Sequence, residues 1–326
     1  MATAPTDPVP HGARNWSPDE LDGFERTTLT MPDASDGPVE VVVVRRCDAP
    51  EHAGTRAFLY VHGFGDYFFQ QHLADTVQEA GFRFHAVDLR RHGRSLRPHQ
   101  LPNVTFDVDE YVADVAAAVR LLVDDGVREI VLNGHSTGGL VAVLYAHRGE
   151  GRERLSSVVL TSPFLDMNLP AWQERLVEPV LAFAGRFLPK AALGGLSPVY
   201  GQSIHADLHG EWRFRTDWKP IEGFPARLGW LRAIHLAQRE VERGLAIGVP
   251  VLLLHAERSA RPRAWQPDAN RADIVLDVDD MVRLAPRLGP RVELQAVPDG
   301  MHDLVLSSEE PRRRTLDLIR SWLIER

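Results

Sequence analysis

The segment from Arg128 to His147 constrains this chain more than any other. Arg128-Glu129-Ile130-Val131-Leu132-Asn133 reads as a short buried strand, and Leu140-Val141-Ala142-Val143-Leu144-Tyr145-Ala146-His147 as an apolar helix. Between them stands Gly134-His135-Ser136-Thr137-Gly138, room for a sharp turn and nothing more. A chain that passes from strand to helix so abruptly is strained at the apex, and glycine on each side lets the two elements pack closely. Ser136 is then held at the amino end of a helix. Unpaired amides and the positive end of the helix dipole there favour a developing negative charge.

The rest of the chain alternates strand and helix patterns. Residues 24–31 and 39–46 read as strands around an Asp36-Gly37 turn, and 57–61 is an unbroken apolar run, as in a strand buried on both faces. That run ends at His62-Gly63-Phe64-Gly65-Asp66; a helix to about residue 80, a stop at Gly81 and a strand over 83–87 follow. Residues 111–123 have helical periodicity, 155–161, 249–255 and 291–297 are strand-like, and 312–324 form a closing amphipathic helix. This order predicts an α/β fold, a mostly parallel sheet with helices on both faces. From 163 to about 240 no strand period appears, while Trp172, Trp212, Trp218 and Trp230 gather there with Phe164, Phe183, Phe187, Phe214 and Phe224. The expected organisation is a core over 1–162, after a loose tail, an inserted helical cap over 163–240, and the rest of the core over 241–326.

A length of 326 residues suits one such domain with an insertion. The net charge of -8 gives no attraction for nucleic acid or anionic lipid. Lys190 and Lys219 are the only lysines, and Cys47, the single cysteine, rules out an intrachain disulfide and a cysteine-based metal site. No apolar run reaches the roughly 20 residues that span a bilayer. The opening Met1-Ala2-Thr3-Ala4-Pro5-Thr6-Asp7-Pro8-Val9-Pro10 lacks the basic and apolar regions of a secretory signal. The expected location is the cytoplasm, without stable membrane insertion.

A serine hydroxyl attacks carbonyl carbon only with a base in reach, and the base needs an acid to orient it. Of 14 histidines, His302 stands in a polar turn, Pro298-Asp299-Gly300-Met301-His302-Asp303, between the last strand and the last helix. Asp273 is the favoured acid, just before an apolar segment and helix; Asp277 and Glu257 remain open, Asp277 also reading as a helix N-cap. The backbone amides of Thr137 and Phe64 are the candidate oxyanion donors, Gly63 and Gly65 allowing close approach to a substrate. Asp88-Leu89-Arg90-Arg91-His92-Gly93-Arg94-Ser95 lacks phosphate-loop spacing and reads as a structural loop. His62, His92, His135 and His255 have no metal-ligand spacing, so neither metal nor cofactor is expected.

Together, His62-Gly63-Phe64-Gly65, the 88–95 loop, Gly134-His135-Ser136-Thr137-Gly138-Gly139 and Gly300-Met301-His302-Asp303 resemble the serine aminopeptidase and monoacylglycerol lipase-like branch of the α/β-hydrolases. The resemblance runs from about residue 38 to the end. It implies an eight-stranded sheet, a helical cap after the sixth strand, and a catalytic triad matched by Ser136, Asp273 and His302. Two departures stand out. Arg91 replaces the usual glycine of the family's R-G-H-G loop, a change expected to matter little. Ser259 stands where the family often places its aspartate, and an insertion then precedes Asp273-Ile274-Val275-Leu276-Asp277.

These readings point to a cofactor-free serine hydrolase for carboxylic esters with an apolar acyl group, monoacylglycerol-like or medium-chain. A peptidase would need a cap carboxylate such as Glu174, Glu178 or Glu211 to hold an α-ammonium group. Acyl transfer to another alcohol uses the same residues. A non-catalytic scaffold of the same fold is the alternative from a different class.

Overall fold

In the computed structural model, which describes residues 15–48, 53–167 and 183–325, the apolar strand runs form the middle of one sheet. Its members are β1 (Ser17–Pro18), β2 (Phe24–Ala34), β3 (Gly37–Arg46), β4 (Arg56–Val61), β5 (Arg83–Asp88), β6 (Glu129–His135), β7 (Leu155–Thr161), β10 (Val251–Ala256) and β11 (Val292–Val297). They lie in the order β1-β2-β3-β5-β4-β6-β7-β10-β11. From β5 through β11 every pairing is parallel; β1, β2 and β3 add an antiparallel margin. The mostly parallel α/β sheet is as expected, but it has nine strands rather than eight. The extra one is the two-residue β1, too short to leave a pattern in sequence.

Both faces of the middle of the sheet are covered, which explains the unbroken apolar runs within β3, β4, β6, β7 and β10. Val41, Val43, Leu59, Val61, Leu132, Val158 and Leu253 pack on one face with α2 (Asp109–Asp124), α3 (Thr137–Arg148), the helix Leu228–Arg243 and α6 (Val278–Leu284). Val42, Val44, Phe58, Tyr60, Val131, Val159 and Leu252 pack on the other, with α1 (Gln71–Glu79) and α7 (Glu309–Ile324). Successive side chains of these central strands thus enter different cores, as the two-residue period of a strand requires.

The segment between β7 and β10 contains α4 (Pro198–Ile204) and α5, the helix Leu228–Arg243 just described. It also holds a two-stranded ribbon of β8 (Ala192–Gly195) and β9 (Pro225–Arg227). The absence of strands expected for 163–240 is therefore corrected. Ala192-Leu193-Gly194-Gly195 is short, exposed and half glycine, and no alternation could reveal it. Trp172 and residues 1–14 lie outside the described residues.

Candidate active site

Strand order decides where a site can form. The chain leaves β4 toward β5 on one side and leaves β6 toward β7 on the other, so β4 and β6 flank a crevice at their carboxyl ends. Two glycine-bearing loops open into it: 62–66 after β4, and the turn at Ser136 after β6.

Ser136 has φ 53° and ψ -120°, a backbone conformation that costs a non-glycine residue on the order of 1–3 kcal/mol. Neighbouring contacts leave the turn no other course. A Cβ on Gly134 would lie 2.4 Å from the Gly138 carbonyl oxygen, and one on Gly138 would lie 2.3 Å from that of Val61. The Ser136 amide donates to Thr161 O at 3.1 Å, and its carbonyl accepts from Phe164 N at 2.9 Å. Ser136 is the N-cap of α3 and Thr137 its first residue, whose amide has no acceptor within the helix. Gly63 brings the β4 loop against the serine: a Cβ there would stand 3.0 Å from Ser136 Cβ.

His302 follows β11 in a turn tied by Met301 N to Ser307 Oγ at 2.9 Å. Its Nδ1 lies 2.8 Å from Asp273 Oδ2, with both side chains buried. The other Asp273 oxygen accepts the amides of Val275 (2.8 Å) and Leu276 (2.7 Å), which fixes the carboxylate before α6. Of the alternatives, Asp277 caps α6 by accepting from Asp279 N at 3.1 Å, and Glu257 is exposed. Ser136, Thr137, Phe64 and His302 line one cavity of about 270 Å³, with Asp273 behind His302.

The insertion before Asp273 is anchored at both ends. Ser259 and Asp273 form a parallel bridge; Asp273 N donates to Arg258 O (3.0 Å) and Ala260 N to Asp273 O (2.9 Å). Its middle grips the β7–β10 segment. Trp265 stacks on His209 at 3.6 Å, and Asn270 Nδ2 donates to Ser203 O (3.1 Å) and His209 O (2.9 Å).

The 88–95 loop is hydrogen-bonded throughout. Asp88 accepts from Phe68 N (3.0 Å), Arg94 N (3.0 Å) and Arg94 Nη1 (2.9 Å). Arg91 has φ 62°, a left-handed conformation that suits the glycine it replaces. Its guanidinium holds Asp36 through two hydrogen bonds, at 2.7 and 3.0 Å, and reaches Val104 O at 3.1 Å.

Two cavity residues carry no role in the sequence reading. Asp66, in the β4 loop, and Lys219, between α4 and β9, form an ion pair at 2.8 Å with both side chains buried. Burial would raise the Asp66 pKa, but the charge of Lys219 and its hydrogen bond help outweigh it and hold the carboxyl below its usual value. The only signals were an acid adjoining the glycine loop and the scarcity of lysine. His135, held below its ordinary pKa chiefly by burial, lies 3.9 Å from Asp303. Asp66, His135 and Asp303 could bring ligand atoms within 4.8 Å of one another. The Lys219 ammonium on Asp66 makes that set a poor fit for a metal ion. No helix among the described residues is long and apolar enough to cross a membrane.

A sheet of this order, with a serine on the turn after β6 and His302 in the same cavity backed by buried Asp273, defines an α/β-hydrolase. The family model for serine aminopeptidase S33 matches residues 54–309, and the chain belongs to that family of hydrolases. It is similar to the AB hydrolase superfamily protein YisY of Bacillus subtilis, 30% identical over 108 residues, 33% of this chain and 38% of that protein. The chain spans about two fifths of the length of the curated relatives it matches. In fold it is similar to the monoacylglycerol lipase of Paleococcus ferrophilus (TM-score 0.64, 19% identity, covering 92% of this chain and 99% of that one). It is likewise similar to a soluble variant of monoglyceride lipase from Saccharomyces cerevisiae (TM-score 0.64, 16% identity, 99% of each chain).

Proposed function

We propose that this chain is a serine hydrolase of carboxylic esters, working through a covalent acyl-enzyme. Ser136 attacks the ester carbonyl as His302 takes its proton and later passes it to the departing alcohol. Asp273 holds the imidazole with Nδ1–H toward itself, leaving Nε2 for the serine. The amides of Phe64 and Thr137 stabilise the oxyanion, and water activated by His302 then releases the acid. The observation that carries this reading is that Asp273-bound His302 shares one cavity with the strained Ser136.

In this reading the described part of 163–240 acts as a cap over that cavity, the core being assigned to 1–162, after its tail, and to 241–326, and the protein works in the cytoplasm. The cap assignment is supported by Leu193, Leu196, Trp230 and Leu231, which line the cavity with Ser136. Their apolar surface suits an acyl chain. A volume of about 270 Å³ is near the low end of ligand pockets, about 300–1,000 Å³, and favours medium-chain or monoacylglycerol-like esters. The lipase descriptions of the two structural neighbours agree with that class.

The aminopeptidase alternative has less support. Among the described residues lining the cavity the carboxylate is Asp66, already held by Lys219. Glu211 is engaged by Arg312 at 3.0 Å, and Glu174 and Glu178 lie outside the described residues.

The test is hydrolysis of p-nitrophenyl esters of rising chain length beside aminoacyl anilides, with fluorophosphonate labelling. The reading requires ester turnover and labelling that both vanish in Ser136→Ala, with folding unchanged. Persistent turnover in that variant would refute it.

A further inference from the structure

The cavity lining contains two chemically distinct clusters. Phe64, Phe164 and Trp230 make up one, with the Trp230 ring 4.3 Å from Phe64 and 6.5 Å from Phe164. In the other, the Lys219 ammonium meets Asp66 at 2.8 Å. It also stands 5.5 Å from the centre of the Tyr200 ring and 5.9 Å from those of Phe69 and Phe214. A carboxylate beside several aromatic rings is the usual construction of a receptor for an ammonium ligand. Here the protein's own side chain fills it. His62, His135 and Asp303 also face Asp66, and buried His135 is held toward its neutral form.

We infer that Lys219 is a built-in ammonium that occupies a carboxylate-and-aromatic cage opening on the active-site cavity at Asp66 and Tyr200, and so excludes esters bearing a cationic group there. Lys219 is thus a specificity-determining residue. It satisfies Asp66, which could not stay buried and ionised alone without a large desolvation penalty. It also leaves the cage closed to a second cation by charge and by volume. The inference rests on the ester-hydrolase reading for its kinetic consequence, but the cage itself does not depend on catalysis.

The decisive comparison uses butyrylcholine and its uncharged carbon isostere, 3,3-dimethylbutyl butyrate. The wild type should cleave the neutral ester and discriminate strongly against the choline ester. In Lys219→Ala the discrimination in kcat/KM should narrow by about tenfold or more, the size of one desolvated cation–ring contact. The double variant K219A/D66N, open but lacking the carboxylate, should restore most of the discrimination. A second measurement needs no turnover: methylammonium chloride, against sodium chloride at equal ionic strength, should raise the melting temperature of K219A and leave the wild type unmoved. Should K219A fail to fold in plain buffer, methylammonium should recover it.

Equal cleavage of the two esters by the wild type, an unchanged ratio in folded K219A, or no methylammonium effect on K219A would each overturn the inference. Loss of all ester turnover in the wild type would instead strike the hydrolase reading, and the melting experiment would still judge the cage.

Discussion

Asp273→Asn separates the part Asp273 plays in shaping its loop from the part it plays on His302. One carboxylate oxygen accepts the amides of Val275 and Leu276, and the other faces His302 Nδ1 at 2.8 Å. Asparagine keeps the first oxygen, so the turn into α6 and the buried amides of the loop stay satisfied. It replaces the second with an NH2 donor. The imidazole must then turn its unprotonated nitrogen toward residue 273, and Nε2 carries a proton where the proposed mechanism needs it to accept one from Ser136. In such triads this change costs about ten-thousandfold in kcat, or about 5.4 kcal/mol of transition-state stabilisation. Asp273→Ala also removes the acceptor for two amides, each costing about 1–3 kcal/mol if left buried and unpaired. The expected pattern is an inactive D273N that melts near the wild type and an inactive D273A that melts well below it. Initial rates on p-nitrophenyl butyrate and thermal melts of both variants, with Glu257→Gln and Asp277→Asn as controls, decide the matter. More than about a tenth of wild-type kcat in D273N, against the loss expected for a triad acid, would refute the reasoning. So would an equal loss in E257Q.

Other perturbations test the frame around the site. Gly138→Ala would push a Cβ to 2.3 Å from Val61 O and 2.4 Å from His62 O, both rigid backbone, so urea titration should report a loss beyond the usual 1–3 kcal/mol of overpacking, at roughly 3 or more. At Arg91 the expected stability order by denaturant is wild type, then Gly, then Ala. Both variants lose the Asp36 and Glu110 ion pairs, but only alanine keeps the left-handed strain of about 1–2 kcal/mol; Ala above Gly would contradict it. His85, held down to about 3 by burial and then by Arg45, should make the fold acid-sensitive. Its folded-state pKa lies below the unfolded value of 6.5, so its contribution is complete above pH 6.5 and fades toward pH 3, at up to about 1.4 kcal/mol per pH unit. His85→Leu should flatten unfolding free energy against pH in that window, and an unchanged slope would dismiss the effect.

What the sequence disclosed about the site follows from how tightly each feature is packed. Gly134 and Gly138 are readable because any side chain there would strike backbone at 2.3 to 2.4 Å. His302 is readable because the last strand and last helix leave one short turn between them, and that turn holds one histidine. The strand runs are readable because both faces of the sheet are buried. The Lys219–Asp66 pair is illegible in sequence for the opposite reason. It joins loops 153 residues apart in number and depends on how the β7–β10 segment folds over the sheet, which no local pattern encodes. The β8–β9 ribbon was invisible in the same way, its strands being short and largely exposed.

The position of the acid joins these two cases. Ser259, just beyond β10, occupies the place where the resemblance would put an aspartate, and Asp273 comes later in the chain. In space the two are bridge partners. The insertion leaves beside Arg258 and returns beside it, so Asp273 arrives next to the position it has vacated in sequence. Ser259 keeps a structural duty there, its Oγ accepting the amide of Val278, the first residue of α6, at 2.8 Å. A loop of that length closes at modest extra entropy. It is not idle surface, because the Trp265–His209 stack and the two Asn270 hydrogen bonds fasten it to the chain around α4. That helix carries Tyr200, whose ring stands edge-on to His302 at 5.6 Å. The insertion therefore binds the β7–β10 segment and the acid of the His302 pair into one packed unit, and so gives that segment a direct hold on the geometry beside Ser136.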